Sequence, residues 1–110
     1  MSDLITVADF PFMANKSFVG IGGRPITIPA RFYPEFKQFK VMESAHALVT
    51  FRKGPMIEGA IRVGWRAGGK YYQVTVRASQ TKAEMDSIKI GATLMVRIVK
   101  TMQDWLIEIN

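Results

Sequence analysis

Ile61-Arg62-Val63-Gly64-Trp65-Arg66-Ala67-Gly68-Gly69-Lys70-Tyr71-Tyr72-Gln73-Val74-Thr75-Val76-Arg77 carries the pattern that decides the fold of this 110-residue chain. Two runs that alternate apolar and polar residues flank a Gly-Gly pair. That is a tight β-hairpin signal, because both central positions of the favoured two-residue turn need positive φ. With Gly68 and Gly69 at the turn centre, Trp65 is expected to face Tyr72, Val63 to face Val74 and Ile61 to face Val76. These six side chains share one side of the ribbon and are expected in the core. The other side carries Arg62, Arg66, Tyr71, Gln73, Thr75 and Arg77, groups that contact phosphates and base edges.

Charge points the same way. The net charge is +6, and between Arg52 and Lys82 seven basic residues stand against one acid, Glu58, which accounts for the whole excess. A concentrated excess on a β-ribbon implies a polyanionic partner held largely through phosphates. The plainer alternative is a solvated basic face. An apolar fraction of 48% with 22% charged residues excludes a disordered chain, and the length suits one domain with one core. The absence of cysteine excludes disulfides and thiolate metal sites. No secretory leader is visible at Met1-Ser2-Asp3-Leu4 and no apolar run is long enough for a membrane span, so a soluble protein of cytoplasmic or nucleoid-associated location is expected.

Outward from the hairpin, strands are expected at Ser17–Ile21, Ile26–Ile28, Val41–Phe51, Leu94–Val99 and Trp105–Ile109. Phe32, Tyr33, Phe36 and Phe39 recur at helical spacing within Ala30–Lys40, with Pro34 in the first turn, and are expected as helix core. A second short helix, capped by Ser79 or Thr81, is expected through Met85. Residues 1–16 read as an apolar tail packing on the domain or on a partner, and 17–110 as a single domain. Ile26–Ile28, a helix and Leu48–Phe51 parallel Val74–Val76, a helix and Val96–Val99 at an offset of about 48 residues. This is either an internal repeat closing one barrel or a chance likeness of two strand-helix-strand passages. The expected fold is mainly β with two short helices: a seven-stranded open pseudobarrel with two pseudo-repeated strand-helix-strand units.

Ile26-Thr27-Ile28-Pro29-Ala30-Arg31-Phe32 resembles the strand, Ile-Pro and short-helix opening of the plant B-three DNA-binding domain. Gly68-Gly69-Lys70-Tyr71-Tyr72, the helix at Ser79–Met85 and Ile88-Lys89-Ile90-Gly91-Ala92-Thr93-Leu94-Met95-Val96 resemble its second half. The opening is similar also to that of restriction-endonuclease DNA-recognition domains and, more weakly, of swapped-hairpin transcription factors. The resemblance implies a pseudobarrel that grips a duplex major groove with two arms, here Gly20–Arg24 and Arg62–Gln73. It implies double-stranded DNA as partner, in transcription regulation or restriction-like recognition. Base-edge contacts are then expected from Arg24, Arg66 and Gln73, because arginine pairs with guanine O6/N7 and glutamine with adenine N6/N7. Phosphate contacts are expected from Lys16, Arg62, Lys70, Tyr71 and Arg77 and from the backbone at Gly22 and Gly23.

Signals for catalysis are poor. His46 is the single histidine, beside no acid or nucleophile at a telling spacing, and no paired carboxylates, metal set or phosphate-binding glycine loop is present. A non-enzymatic module without cofactor or metal is expected. Two other readings stand. One is a single-stranded nucleic-acid binder stacking bases on Trp65, Tyr71 and Tyr72. The other is a protein-interaction or inhibitor module, or a homodimer, docking through Phe10-Pro11-Phe12-Met13.

Overall fold

The computed structural model describes residues 5–19, 25–36, 44–77, 88–102 and 104–110, with Arg66 described by its backbone alone. The strands are β1 (Ile5–Met13), β2 (Ile26–Thr27), β3 (Ser44–Phe51), β4 (Met56–Arg66), β5 (Gly69–Val76), β6 (Thr93–Lys100) and β7 (Trp105–Ile109). They form one mainly antiparallel sheet in the order β1-β6-β7-β3-β4-β5-β2, with β3 and β7 parallel. The sheet curls into a nearly closed barrel with one unsealed seam, between its outermost strands β1 and β2. The expected seven-stranded open pseudobarrel is therefore present.

Alternation builds the core. Phe10 and Phe12 of β1, Val49 and Phe51 of β3, Ile61 and Val63 of β4, Tyr72 and Val74 of β5, Val96 and Ile98 of β6, and Ile107 and Ile109 of β7 are all buried. Each strand turns every second residue inward, as a period of two requires. Gly59 occupies an inward position of β4 with no side chain. A Cβ there would stand 2.5 Å from the Thr75 carbonyl oxygen and 2.7 Å from Val49 Cγ2, so the bare backbone lets the sheet bend tightly at this point.

The seam is closed in part by a 3-10 helix, Ala30–Phe36. It packs against both β1 and β5, through Phe32 on Phe10 with ring centroids 5.8 Å apart and Tyr33 on Tyr72 at 4.8 Å. Phe36 goes deepest, against Tyr72 and Trp105. The expected helix over Ala30–Lys40 is thus tighter in its described part. Pro34 lies inside it and has no N–H to give an α-type bond to Ala30, which favours 3-10 winding, shown by the Phe32 N–H donating to the Pro29 carbonyl at 3.0 Å. Phe39 lies outside the described residues.

Two expectations near the N-terminus are corrected. Residues 5–13, read as a tail, are strand β1, paired with β6 along its length. A register shift between Thr6 and Ala8 and the proline at 11 hide its alternation in the sequence. The Met95 N–H and carbonyl both bond Asn110 of the other neighbour, so Pro11, opposite Met95, turns its missing donor toward the open seam. Proline there blunts a free edge that could recruit another strand. Ser17–Val19, read as the start of a strand, lies with Lys16 in helix α1 (Lys16–Val19); Asn15 caps it, its Oδ1 accepting from the Phe18 N–H at 2.9 Å.

The proposed repeat has a direct structural counterpart. Ile26 and Val74, separated by the repeat offset, are direct partners across β2 and β5. The first unit is β2, the 3-10 helix and β3. The second runs from β5 to β6, and its expected helix at Ser79–Met85 lies outside the described residues.

One turn of the barrel carries backbone strain. Arg52 and Lys53 join β3 to β4 with φ of 51° and 60°, both in the left-handed region that side chains disfavour by roughly 1–2 kcal/mol per residue. Replacing them together with Asn-Gly, the preferred pair for such a turn, is expected to stabilise the protein by about 1 kcal/mol, read as a rise of about 4 °C in Tm. An unchanged or lower Tm would show that the strain is relieved by other contacts. A second expectation concerns Tyr72. Burial raises its phenol above the ordinary value of 10.0, and Tyr33 adds to the effect. The folded protein therefore keeps this proton where the unfolded chain loses it, so stability is full below about pH 10 and falls as pH rises further. Urea midpoints at about pH 8 and pH 11 are expected to fall farther for the wild type than for Tyr72→Phe.

Candidate nucleic-acid interface

The β4–β5 hairpin turns at Ala67-Gly68, with Arg66 paired to Gly69. Only Gly69 of the turn has positive φ, at 119°, which fits the form of hairpin closed by a positive-φ glycine after the turn. The pairing therefore slips by two residues from the expected one. Val63 faces Tyr72, Ile61 faces Val74 and Trp65 faces Lys70. A slip of two keeps every side chain on its expected face, but it carries Trp65 past the end of the core. Tyr72 is buried as expected; Trp65 is 63% exposed, against its expected burial.

On the outer face the register aligns a polar row across four strands. Ser44 lies opposite Arg62, Arg62 opposite Gln73, and Gln73 opposite Thr27. Buried neighbours on either side (Ile61 and Val63, Tyr72 and Val74, Ile26 and Ile28) force Arg62, Gln73 and Thr27 outward, and Ser44 is exposed beside them. One step toward the hairpin tip, the Tyr71 ring lies over Gly64, where a Cβ would come within 2.3 Å of the ring. This glycine gives the tyrosine a flat seat, and Tyr71 is only half-buried. One step the other way, a shallow groove of about 430 Å³ is lined by His46, Ala60, Arg62, Thr75 and Arg77, with Glu58 on its rim.

The structure brings together four of the expected site residues, Arg62, Lys70, Tyr71 and Gln73, on the hairpin, with Arg77 at the end of β5. Arg77 donates to Glu58 at 2.8 Å with both groups partly exposed, so its charge is locally balanced. Lys16 is on α1, following β1, and is not part of the row. Arg24, Gly22 and Gly23, the first arm, lie outside the described residues, as does the Arg66 side chain.

Sequence reading missed two groups here. His46 Nδ1 lies 3.2 Å from Asp104 Oδ2. These residues are 58 apart in the chain, and the parallel pairing of Ala47 with Trp105 sets them side by side. Asp104 is itself held in a tight turn, its N–H donating to Thr101 Oγ1 at 2.8 Å and its Oδ1 accepting from the Trp105 N–H at 2.8 Å. Ser44, at the end of the polar row, had no signal in the sequence beyond its place in a strand. Among the described residues, no group of three or more His, Asp and Glu side chains is placed to hold a metal ion, and no helix is long and apolar enough to cross a membrane.

No protein-family model matches the chain, and a search of curated proteins finds none similar to it. The fold and this face define the protein as an open β-barrel with a sorted hairpin, apolar inward and polar or basic outward.

Proposed function

We propose that this chain is a non-catalytic DNA-binding module of the B-three-like kind that uses the outer face of the β4–β5 hairpin as its arm. The observation that carries the reading is the outer row Ser44–Arg62–Gln73–Thr27 with Tyr71 beyond it, and Lys70 at the tip on the other face of the hairpin. It places a guanidinium and a carboxamide opposite each other on β4 and β5, at the base of the hairpin whose tip continues as a two-stranded ribbon of the width that enters a duplex major groove. Gln73 has the donor and acceptor pair for an adenine edge, and the Arg62 guanidinium beside it engages a phosphate with a guanine edge in reach. Lys70 and Arg77 flank them as cations suited to phosphates, Arg77 at the expense of its bond to Glu58. In the two-arm grip, Arg24 with the backbone at Gly22 and Gly23 supplies the other arm, and Arg66 a further base contact.

The test is binding of the purified protein to duplex and single-stranded oligonucleotides over a salt series. Affinity is expected to fall linearly on a log–log plot, with the slope counting the phosphates engaged. No binding to either form at low salt would overturn the reading and favour an interaction module.

A further inference from the structure

Trp65 is the large side chain the barrel leaves outside at the tip of its basic arm. Its strand neighbours on the same face, Val63 and Ile61, are buried, and so is Tyr72 opposite Val63. The core ends one pair short of the tip, so the indole stands beyond it at 63% exposure, with Lys70 as its direct cross-strand partner. Residues so paired hold their Cβ atoms about 5 Å apart. The tip thus presents an aromatic face with a cation alongside, on a chain of net charge +6.

We infer that Trp65 is a stacking group for an unstacked nucleobase, and that the preferred ligand of the arm is DNA with an exposed base face next to its phosphates. This rests on the nucleic-acid reading of the hairpin. Energies decide between intact and open DNA. One base stacked on an aromatic side chain is worth about 1–3 kcal/mol. Unstacking a base step of a duplex costs a few kcal/mol, which cancels that gain. A base that is already unpaired incurs no such cost, so the indole adds affinity only there. The exposed base can come from a single strand or from an unpaired nucleotide within a duplex.

The experiment compares an oligo-dT single strand, a blunt duplex and the same duplex carrying a one-nucleotide bulge. Each is titrated into wild type, Trp65→Ala and Trp65→Phe across a salt series. Trp105 is 5% exposed, so quenching of tryptophan emission on binding reports chiefly on Trp65. Expected results are quenching by the single strand and by the bulged duplex, a loss on the order of tenfold for both in Trp65→Ala, and no loss for the blunt duplex. The salt slope stays unchanged, Trp65→Phe keeps most of the affinity, and Tm is unaltered because the removed side chain lies outside the core. A single strand affected but not the bulge, or the reverse, identifies which source of open base the arm takes. Several results would overturn the inference alone: binding to any DNA with emission unquenched at saturation, a Trp65→Ala loss equal for all three DNAs, or no loss at all. Emission that shifts with protein concentration in the absence of DNA would overturn it in favour of a contact between two copies. Failure of the wild type to bind any of the three at low salt overturns the nucleic-acid reading with it.

Discussion

Replacing Phe36 with alanine is expected to cost about 4 kcal/mol of folding stability, the largest effect of any single substitution proposed for this protein. Phe36 is fully buried, and its ring lies 5.7 Å from that of Tyr72 and 5.5 Å from that of Trp105, centroid to centroid. It therefore joins β5 and β7 from a helix that also touches β1, across the flank where the sheet fails to close. Truncation leaves a cavity between strands that share no hydrogen bonds at this place, so collapse around it is poor and the cost lies in the upper part of the range for large-to-small changes. A domain of this size has roughly 5–15 kcal/mol in all, and the expected Tm falls by about 15 °C. Phe32→Ala, which removes a half-buried ring that lies against Phe10 with the Arg31 guanidinium over it, is expected to cost less than half as much. A Phe36→Ala variant within about 1 kcal/mol of wild type would show that the helix does not seal the barrel. Because Tyr72 sits on the arm, the same variant is expected to loosen the hairpin at temperatures well below its Tm.

The second large effect is on binding. Each phosphate contact to a duplex contributes about 0.9 to the slope of log affinity against log salt, and about 0.7 to a single strand. At about 0.1 M salt the two cations Arg62 and Lys70 then contribute, together, on the order of 30- to 60-fold in affinity. The double variant Arg62→Ala, Lys70→Ala is expected to lose that factor and to flatten the slope by roughly 1.5–2. Arg62→Lys keeps the charge, so it is expected to restore the slope, while any base preference held by the paired donors of arginine is lost. Arg77→Ala should change binding less, since its charge is already matched by Glu58 at 2.8 Å. An unchanged slope in the double variant would place the phosphate contacts elsewhere on the molecule. The stacking variant Trp65→Ala differs in kind: it lowers affinity without touching the slope, which separates the two contributions.

Much of this was legible in the chain. The hairpin, the final three strands and the parity of each side chain on β4 and β5 follow from alternation and glycine placement, whereas the open barrel was implied by the family resemblance and the internal repeat. Which face Arg62, Tyr71 and Gln73 occupy needed nothing more. Other features were hidden for identifiable reasons. β1 carries a bulge at Val7 and a proline, so its period of two is broken. α1 depends on Asn15 as a cap, a single residue whose role shows only when its Oδ1 meets the Phe18 N–H. His46 and Asp104 meet through a parallel pairing that no local pattern encodes.

Trp65 shows the division most clearly. The sequence by itself determined its face, because a period of two cannot put Val63 and Trp65 on opposite sides of a strand. It also determined that a basic, glycine-tipped ribbon would carry that face. What the tertiary structure alone decided was the register, since slipping by two residues leaves the pattern of faces intact and only the backbone of the turn, with Gly69 at φ 119°, distinguishes the alternatives. That slip ends the core at the Val63–Tyr72 pair. It leaves the indole and Lys70 standing together in solvent, where they can meet a ligand.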